Sequence, residues 1–162
     1  MSDASDKLCF LVVDDQPLIT GALSMLLTSE NPDSEVFTAN SVDDARKLVH
    51  SHAPEADLLI LDLSMPGVVG TSLLEEFVRE EPSLKILVLS GVTDRESVMN
   101  TLSLGAAGFV PKTLDTDLLL TAIHFVLKGG VYLPSKIIEE SQRRGFFAEA
   151  GEGIAGRMAS AP

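Results

Sequence analysis

The chain has 162 residues, 45% of them hydrophobic, which is enough for one domain with a buried core. Its formal net charge of −12 argues against a surface that binds the phosphate backbone of nucleic acids, because such surfaces need clustered Lys and Arg. The single cysteine, Cys9, excludes an intramolecular disulfide. No apolar stretch approaches the roughly 18 residues of a membrane-spanning helix, and residues 1–7 do not resemble a signal peptide. These features predict a cytoplasmic protein that does not enter a membrane.

Apolar runs of strand length alternate five times with segments of helical period, which indicates repeated βαβ units around a parallel sheet. Near-continuous apolar character predicts that all strands except the second are central in the sheet. The predicted strands are residues 8–13, 35–39, 57–61, 85–90 and 108–110.

Signals for helix ends accompany this pattern. Pro17 suits the first turn of a helix, and Lys128-Gly129-Gly130 predicts the end of the last strong one. Two sequence pairs resemble N-terminal capping boxes, namely Ser41 with Asp44 and Thr93 with Glu96. Residues 135–142 are predicted as a short helix, and the Gly- and Ala-containing segment after them as a linker.

Charged and polar side chains follow several predicted strands where each strand ends: Asp14, Asp15, Asp62, Ser90 and Lys112. Ligands of open parallel sheets bind beyond the carboxyl ends of the strands, so these side chains are expected to converge. Carboxylates crowded in this way raise one another's pKa, and a hard divalent cation with oxygen ligands removes the repulsion. The pattern therefore predicts a magnesium site.

These residues also resemble a response-regulator receiver domain over residues 7–133. The motifs that carry the resemblance are Asp14-Asp15, Asp62 followed by Met65-Pro66-Gly67, Ser90 closing a strand, and Lys112 after Pro111. The resemblance implies an α/β fold of the CheY-like, flavodoxin type. Such a (βα)5 domain has a doubly wound, parallel five-stranded sheet in the order 2-1-3-4-5.

The resemblance further implies the roles of the acidic residues. Asp62 would be the nucleophile that takes a phosphoryl group from a phosphohistidine on a sensor histidine kinase. Asp15, Asp62 and the backbone carbonyl of Ser64 would bind Mg²⁺ or Mn²⁺, and Asp14 would act through a bound water. The chain would not be an enzyme in the ordinary sense, because it would catalyse only its own phosphorylation and dephosphorylation.

Four more residues take switching roles by the same resemblance. Lys112 would hold a phosphoryl oxygen, the Ser90 hydroxyl would move toward the new group, and Phe109 would then turn inward. As a residue by itself, Phe109 is equally interpretable as a core aromatic. Gly91 would leave the phosphoryl group open to water and so shorten its lifetime. A cis bond before Pro111 is also predicted.

Residues 13–18, 104–112 and 129–134 resemble the NarL/LuxR-type regulators, which are usually transcription factors. The predicted organisation is a tail at 1–6, a receiver at 7–133 and a linker at 134–162. The helix-turn-helix output domain of that family is absent, so the chain is interpreted as a truncated regulator that would reach DNA only through that domain. Phosphorylation would favour a homodimer.

Three alternatives differ in kind from a truncated regulator. The chain is also interpretable as a stand-alone receiver, or as a pseudo-receiver that only binds other proteins. A phosphatase of the haloacid-dehalogenase type also has a nucleophilic Asp after an apolar strand. It needs a second Asp two residues later, however, where this chain has Ser64.

Overall fold

The structure, a computed structural model, describes residues 7–112 and 115–134, in which five strands alternate with five helices. The strands are β1 (Cys9–Val13), β2 (Glu35–Ala39), β3 (Leu58–Asp62), β4 (Ile86–Ser90) and β5 (Gly108–Pro111). The helices are α1 (Pro17–Glu30), α2 (Val42–His52), α3 (Ser72–Glu80), α4 (Arg95–Ser103) and α5 (Thr116–Leu127). All five predicted strands are therefore present, with ends that differ by at most one residue.

The strands form one parallel sheet in the order β2-β1-β3-β4-β5, which confirms the predicted topology. Every residue of β1, β3 and β4 is buried, whereas β2 at the edge is mostly accessible. Parallel strands with helices on both faces are apolar along their whole length for this reason. The third strand begins one residue later than predicted, and Asp57 precedes it, accepting a hydrogen bond of 2.8 Å from the Cys9 backbone.

Alternate residues of each central strand point to opposite faces, so the apolar strands supply two separate core layers. One layer includes Leu11, Val13, Leu59, Leu61, Val88 and Phe109, and α2, α3 and α4 cover it. The other includes Phe10, Val12, Ile60, Leu87 and Val110, and α1 and α5 cover it. Burial of both faces fixes the register, because a slip of one residue would exchange the two layers.

Helix ends mostly follow the predicted signals. Pro17 begins α1, and the Ser41 hydroxyl accepts a hydrogen bond from the Asp44 backbone at the start of α2. The predicted cap at Thr93 is wrong: Asp94 is the N-cap of α4, and its carboxylate accepts from the Ser97 backbone N–H. A carboxylate next to the first turn is also favoured by the helix dipole, which the predicted Thr would not exploit.

Two further predictions concern the backbone near the end of the fold. No cis peptide bond occurs in the described part of the chain, so the prediction of a cis bond before Pro111 is wrong. Trans is the more stable isomer for an X–Pro bond unless a tight turn selects cis, and Pro111 is still part of the extended strand β5. The short helix predicted at 135–142 lies outside the described residues. None of the described helices is both long enough and apolar enough to cross a bilayer.

Candidate functional site

Three carboxylates converge at the carboxyl end of the sheet, as the sequence predicted. One oxygen from each of Asp14, Asp15 and Asp62 lies within 4.8 Å of the other two. Asp62 is the last residue of β3 and is fully buried, and Asp14, directly after β1, is only 1% exposed. Two buried carboxylates this close demand positive charge, because burial and mutual repulsion both disfavour ionisation.

Lys112 supplies one positive charge. Its Nζ lies 3.0 Å from Asp14 Oδ2 and 3.2 Å from Asp62 Oδ2, and it donates a hydrogen bond to the latter. Its backbone N–H donates a 2.7 Å hydrogen bond to the carbonyl of Ser90, which fixes the end of β5 against the end of β4. Lys112, which follows β5, thus contacts carboxylates at the ends of β1 and β3.

The backbone orients the side chains of this site by one repeated device. In three loops, the N–H of the residue two positions later donates to the side-chain oxygen. The bonds run from Gln16 to Asp14 Oδ1 at 2.9 Å, from Ser64 to Asp62 Oδ1 at 3.0 Å, and from Val92 to Ser90 Oγ at 3.1 Å. Such turns hold a short polar side chain in one rotamer, so the three oxygens are positioned before any ligand arrives.

The charges of the site shift two pKa values. Burial raises the pKa of Asp14 above its ordinary value, an effect that the Gln16 backbone hydrogen bond and Lys112 oppose and Asp62 reinforces. Burial acts to lower the pKa of Lys112, but the carboxylates of Asp14 and Asp62 outweigh it, and its pKa is raised. The ammonium group therefore stays charged at neutral pH, and Asp14 ionises with more difficulty than an ordinary aspartic acid.

The donor set fits a divalent cation. Asp14 Oδ2 is buried and accepts no hydrogen bond, so its contact with Lys112 is an ion pair only. Asp15 is partly exposed, which leaves the cluster open to solvent on one side. Oxygen donors from two or three carboxylates, with room for water, are the ligands that Mg²⁺ prefers.

Two of the predicted switch residues, Ser90 and Phe109, lie beside the acidic cluster rather than within it. Ser90 is buried at the end of β4 and, with Phe109, lines a cleft of about 450 Å³ between the loop after β3 and α4. Phe109 is only 1% exposed, so the inward position expected after phosphorylation is already occupied. A Cβ added at Gly91 would meet no atom within 4 Å, which leaves this loop position open.

Two residues that support the site were missed by the sequence analysis. Asn40 Nδ2 donates to the backbone carbonyl of Asp14 at 2.8 Å and to Thr20 Oγ1 at 3.0 Å. Thr20 is 3% exposed and lies on α1, so the two residues tie the loop after β1 to its neighbouring helix and strand. The available signal was positional: Asn40 directly follows β2, at the same sheet edge as the carboxylates.

Comparison with known proteins is consistent with this geometry. Residues 10–124 match the family model described as the response regulator receiver domain. Among curated proteins, the glycerol metabolism activator of Pseudomonas putida is 34% identical over 135 residues. The match covers 83% of this chain but only 61% of that relative, so the chain spans less than two thirds of the relative's length.

Two solved structures share the fold. A LuxR-family two-component response regulator from Aurantimonas sp. SI85-9A1 superposes with a TM-score of 0.75 at 22% identity. That match covers 85% of this chain and 97% of the other. The CheX-CheY-BeF3-Mg complex from Borrelia burgdorferi matches with a TM-score of 0.69 at 26% identity, over 74% of this chain and 88% of the other.

Proposed function

Since the chain belongs to the response-regulator receiver family, we propose that it accepts a phosphoryl group on Asp62 and converts that event into a new partner surface. The family consists of signalling proteins rather than classical enzymes, and phosphorylation by a kinase is typical of it. The observation that supports this function best is the Lys112 ammonium between the buried carboxylates of Asp14 and Asp62. A buried nucleophile beside a fixed cation suits phosphoryl transfer, which depends on positioning and charge neutralisation.

The proposed transfer needs little covalent help from the protein. An oxygen of Asp62 attacks the phosphorus of a phosphohistidine on a sensor histidine kinase, and a P–O bond forms as the P–N bond breaks. The electron pair returns to the imidazole nitrogen, which takes a proton from water. Lys112 faces the charge that builds on the phosphoryl oxygens, and the Ser64 N–H holds Asp62 Oδ1 in place.

We assign Mg²⁺ to the acidic cluster, with Mn²⁺ as a substitute. Asp15, Asp62 and the backbone carbonyl of Ser64 would bind it directly, and Asp14 through a water molecule. The buried Asp14 oxygen supports this assignment, because its ion pair with Lys112 is shared with Asp62 and leaves the cluster short of positive charge. When bound, the ion supplies the positive charge that Lys112 alone does not provide for three carboxylates.

The proposed switch uses the face that carries Ser90 and Phe109. The Ser90 hydroxyl donates a hydrogen bond to a phosphoryl oxygen and, as it moves, gives up the one that its Oγ accepts from the Val92 N–H, which displaces the β4–α4 loop. Phe109 already lies inward, so this chain needs no rotation of the aromatic ring, and the adjustment falls on the loop and on α4.

The relatives suggest the context in which this switch works. We propose that residues 7–133 are the receiver and 134–162 a linker to a DNA-binding output domain, as in a transcriptional regulator of the cytoplasm. The relatives' greater length supports this organisation. Phosphorylation would then favour a homodimer whose output domains engage DNA together.

Intact mass spectrometry tests the phosphoacceptor directly. Wild type and Asp62→Asn are incubated with acetyl phosphate, with and without Mg²⁺. We expect one phosphoryl mass only for wild type with Mg²⁺, because Asn lacks the nucleophilic oxygen and metal removal leaves the carboxylates unneutralised. An adduct on Asp62→Asn would overturn the assignment. No adduct on wild type would refute the phosphoacceptor function and favour a pseudo-receiver.

The lifetime of the phosphoryl group is a second test. Gly91→Leu places a bulky side chain at an open position beside Ser90, so we expect the phosphoryl mass to decay several-fold more slowly by shielding it from water. Gly21→Leu, at an equally open position on α1, is the matched control. Equal decay in wild type and both variants would refute the shielding role of this position.

A further inference from the structure

The chain returns to the sheet after its last helix. Tyr132 pairs in parallel with Gly108, donating from its backbone to Ala107 O at 3.0 Å and accepting from the Phe109 N–H at 3.1 Å. A side chain at Gly108 would crowd this pairing, because a Cβ there would lie 3.1 Å from Tyr132 Cβ and 2.8 Å from Leu87 Cδ1. Tyr132 and Leu133 therefore form a minimal sixth strand, which we call the clasp.

The two residues of the clasp contact different core layers, as successive strand residues do. Tyr132 packs against the layer covered by α1 and α5. Leu133 packs against the other layer, which contains Phe109 and is covered in part by α4. The clasp thus touches the side of the sheet on which the phosphorylation switch is proposed to act.

The turn before the clasp is fixed by two glycines. Gly129 has a φ of +99°, which a residue with a side chain rarely adopts. Gly130 lies beneath the ring of Phe125, and a Cβ there would approach the ring to 2.3 Å. The Gly130 N–H also donates to the Phe125 carbonyl at 3.0 Å. This turn consequently places the clasp beside β5.

The same short strand carries the site at its other end. β5 spans only Gly108–Pro111, and Lys112 follows it directly. Lys112 Nζ lies 3.2 Å from Asp62 Oδ2, a gap that leaves no room for a phosphorus atom and its oxygens. A phosphoryl group on that carboxylate must therefore displace the Lys112 ammonium, and the displaced side chain strains the end of β5, to which Lys112 is joined by one peptide bond.

We propose that the clasp responds to the position of β5 and detaches from that strand when Asp62 is phosphorylated. This inference rests on the proposed phosphoacceptor function. A shift of β5 at Lys112 loosens the two backbone hydrogen bonds of Tyr132 and the packing of Leu133. A local change of charge at Asp62 thus becomes a loss of contact between the clasp and the start of β5.

Amide hydrogen exchange of the full chain tests the clasp in the wild-type protein. The Phe109 and Tyr132 amides are compared before and after phosphorylation with acetyl phosphate and Mg²⁺, with the phosphoryl mass verified on the same sample. We expect both amides to exchange about tenfold faster after phosphorylation, and the Leu59 amide in the central strand β3 to be unchanged. The phosphoryl mass without faster exchange would refute the clasp alone. Absence of the mass would refute the phosphoacceptor function, and the clasp with it.

Coupling must also be reciprocal. Leu133→Ala weakens the clasp, so this variant should bind beryllofluoride with Mg²⁺, a phosphoryl mimic, about fivefold more tightly than wild type. Leu48→Ala removes an equally half-buried leucine from the same core layer but on α2, and should bind as wild type does. Equal affinities in all three proteins would overturn the coupling. If Leu133→Ala does not fold, the exchange experiment on wild type decides by itself.

Discussion

Two groups of ion pairs in this molecule use similar side chains in opposite surroundings. On the surface between α2 and α3, Arg46 binds Glu76 through two hydrogen bonds of 2.8 and 3.0 Å. At the sheet end, Lys112 contacts two buried carboxylates at 3.0 and 3.2 Å, with hydrogen-bond geometry to only one of them. The surface pair has the better hydrogen-bond geometry, yet the buried group has the larger effect on stability and on cation binding.

Solvent explains the difference. The Arg46 side chain is 45% exposed, so water screens the pair and stabilises each partner alone. Asp14 and Asp62 are almost completely withdrawn from water, and three carboxylates in the site face one ammonium group. Geometry therefore matters less than the imbalance of buried charge. That imbalance makes the site receptive to a cation, whereas the surface group is already neutral as a pair.

The largest expected effect is the loss of the buried cation. Lys112→Met keeps the length of the side chain but leaves Asp14 and Asp62 without a counter-charge, which should lower the free energy of unfolding at pH 7 by about 3 kcal/mol. Urea denaturation measures this value. Lys128→Met, at an exposed position after α5, is the control and should stay within about 0.5 kcal/mol of wild type. Equal losses in the two variants would contradict the contrast between buried and exposed charge.

The next effect is stabilisation by metal. A cation that binds only the folded cluster should raise the free energy of unfolding by about 1.4 kcal/mol when Mg²⁺ is at ten times its dissociation constant. Melting temperatures recorded at increasing Mg²⁺ concentrations measure this stabilisation directly. Asp15→Asn removes one donor at a partly exposed position and should shift the titration to higher Mg²⁺. An unshifted titration would place the ion elsewhere.

A smaller effect is the pH dependence that Asp14 contributes. Because its pKa is raised in the folded state, the folded protein holds this proton more tightly than the unfolded chain. Its contribution to stability therefore falls as the pH rises from about 3.8, the ordinary value, through the raised pKa. Without metal, the stability of wild type minus that of Asp14→Asn should decrease over this window. A flat difference would show that Asp14 ionises normally.

The smallest effect belongs to the surface pair. Arg46→Ala should change the melting temperature by no more than about 2 °C, and 1 M NaCl should erase that change. The Arg46 guanidinium lowers the pKa of Glu76, so its stabilisation is present above pH 4.5 and disappears as the pH falls through the lowered value. Calorimetry at pH 7 and pH 3 measures both. A salt-insensitive loss would mean that Arg46 acts by packing.

The sequence predicted the fold and the centre of the site because both depend on local patterns. Buried parallel strands read as continuous apolar runs, and a carboxylate at the end of such a run must lie at the ligand-binding edge. Asp14, Asp62 and Lys112 could therefore be brought together without coordinates. The roles assigned to these residues, and to Asp15, Ser64, Ser90, Gly91 and Phe109, in metal binding, phosphoryl transfer and switching remain predictions.

Other features depend on contacts that leave little trace in sequence. Asn40 and Thr20 are ordinary polar residues until the fold places both beneath the carbonyl of Asp14. The capping role went to Asp94 rather than to Thr93 because helix starts are uncertain by a residue or two. The inward position of Phe109 depends on rotamer choice and on free volume beside α4, neither of which a periodic pattern encodes.

The pairing of Tyr132 also decides how this sheet meets other proteins. The outward N–H of Phe109 is already bonded, and Pro111 has no N–H to offer, so neither residue can donate a backbone hydrogen bond to a foreign strand. Within the described part of the chain, β2 is the remaining open edge of the sheet. It exposes Glu35 and Thr38, and charge on an edge strand resists aggregation. Association at high concentration should therefore involve helix faces, and the protein should resist intermolecular β-pairing.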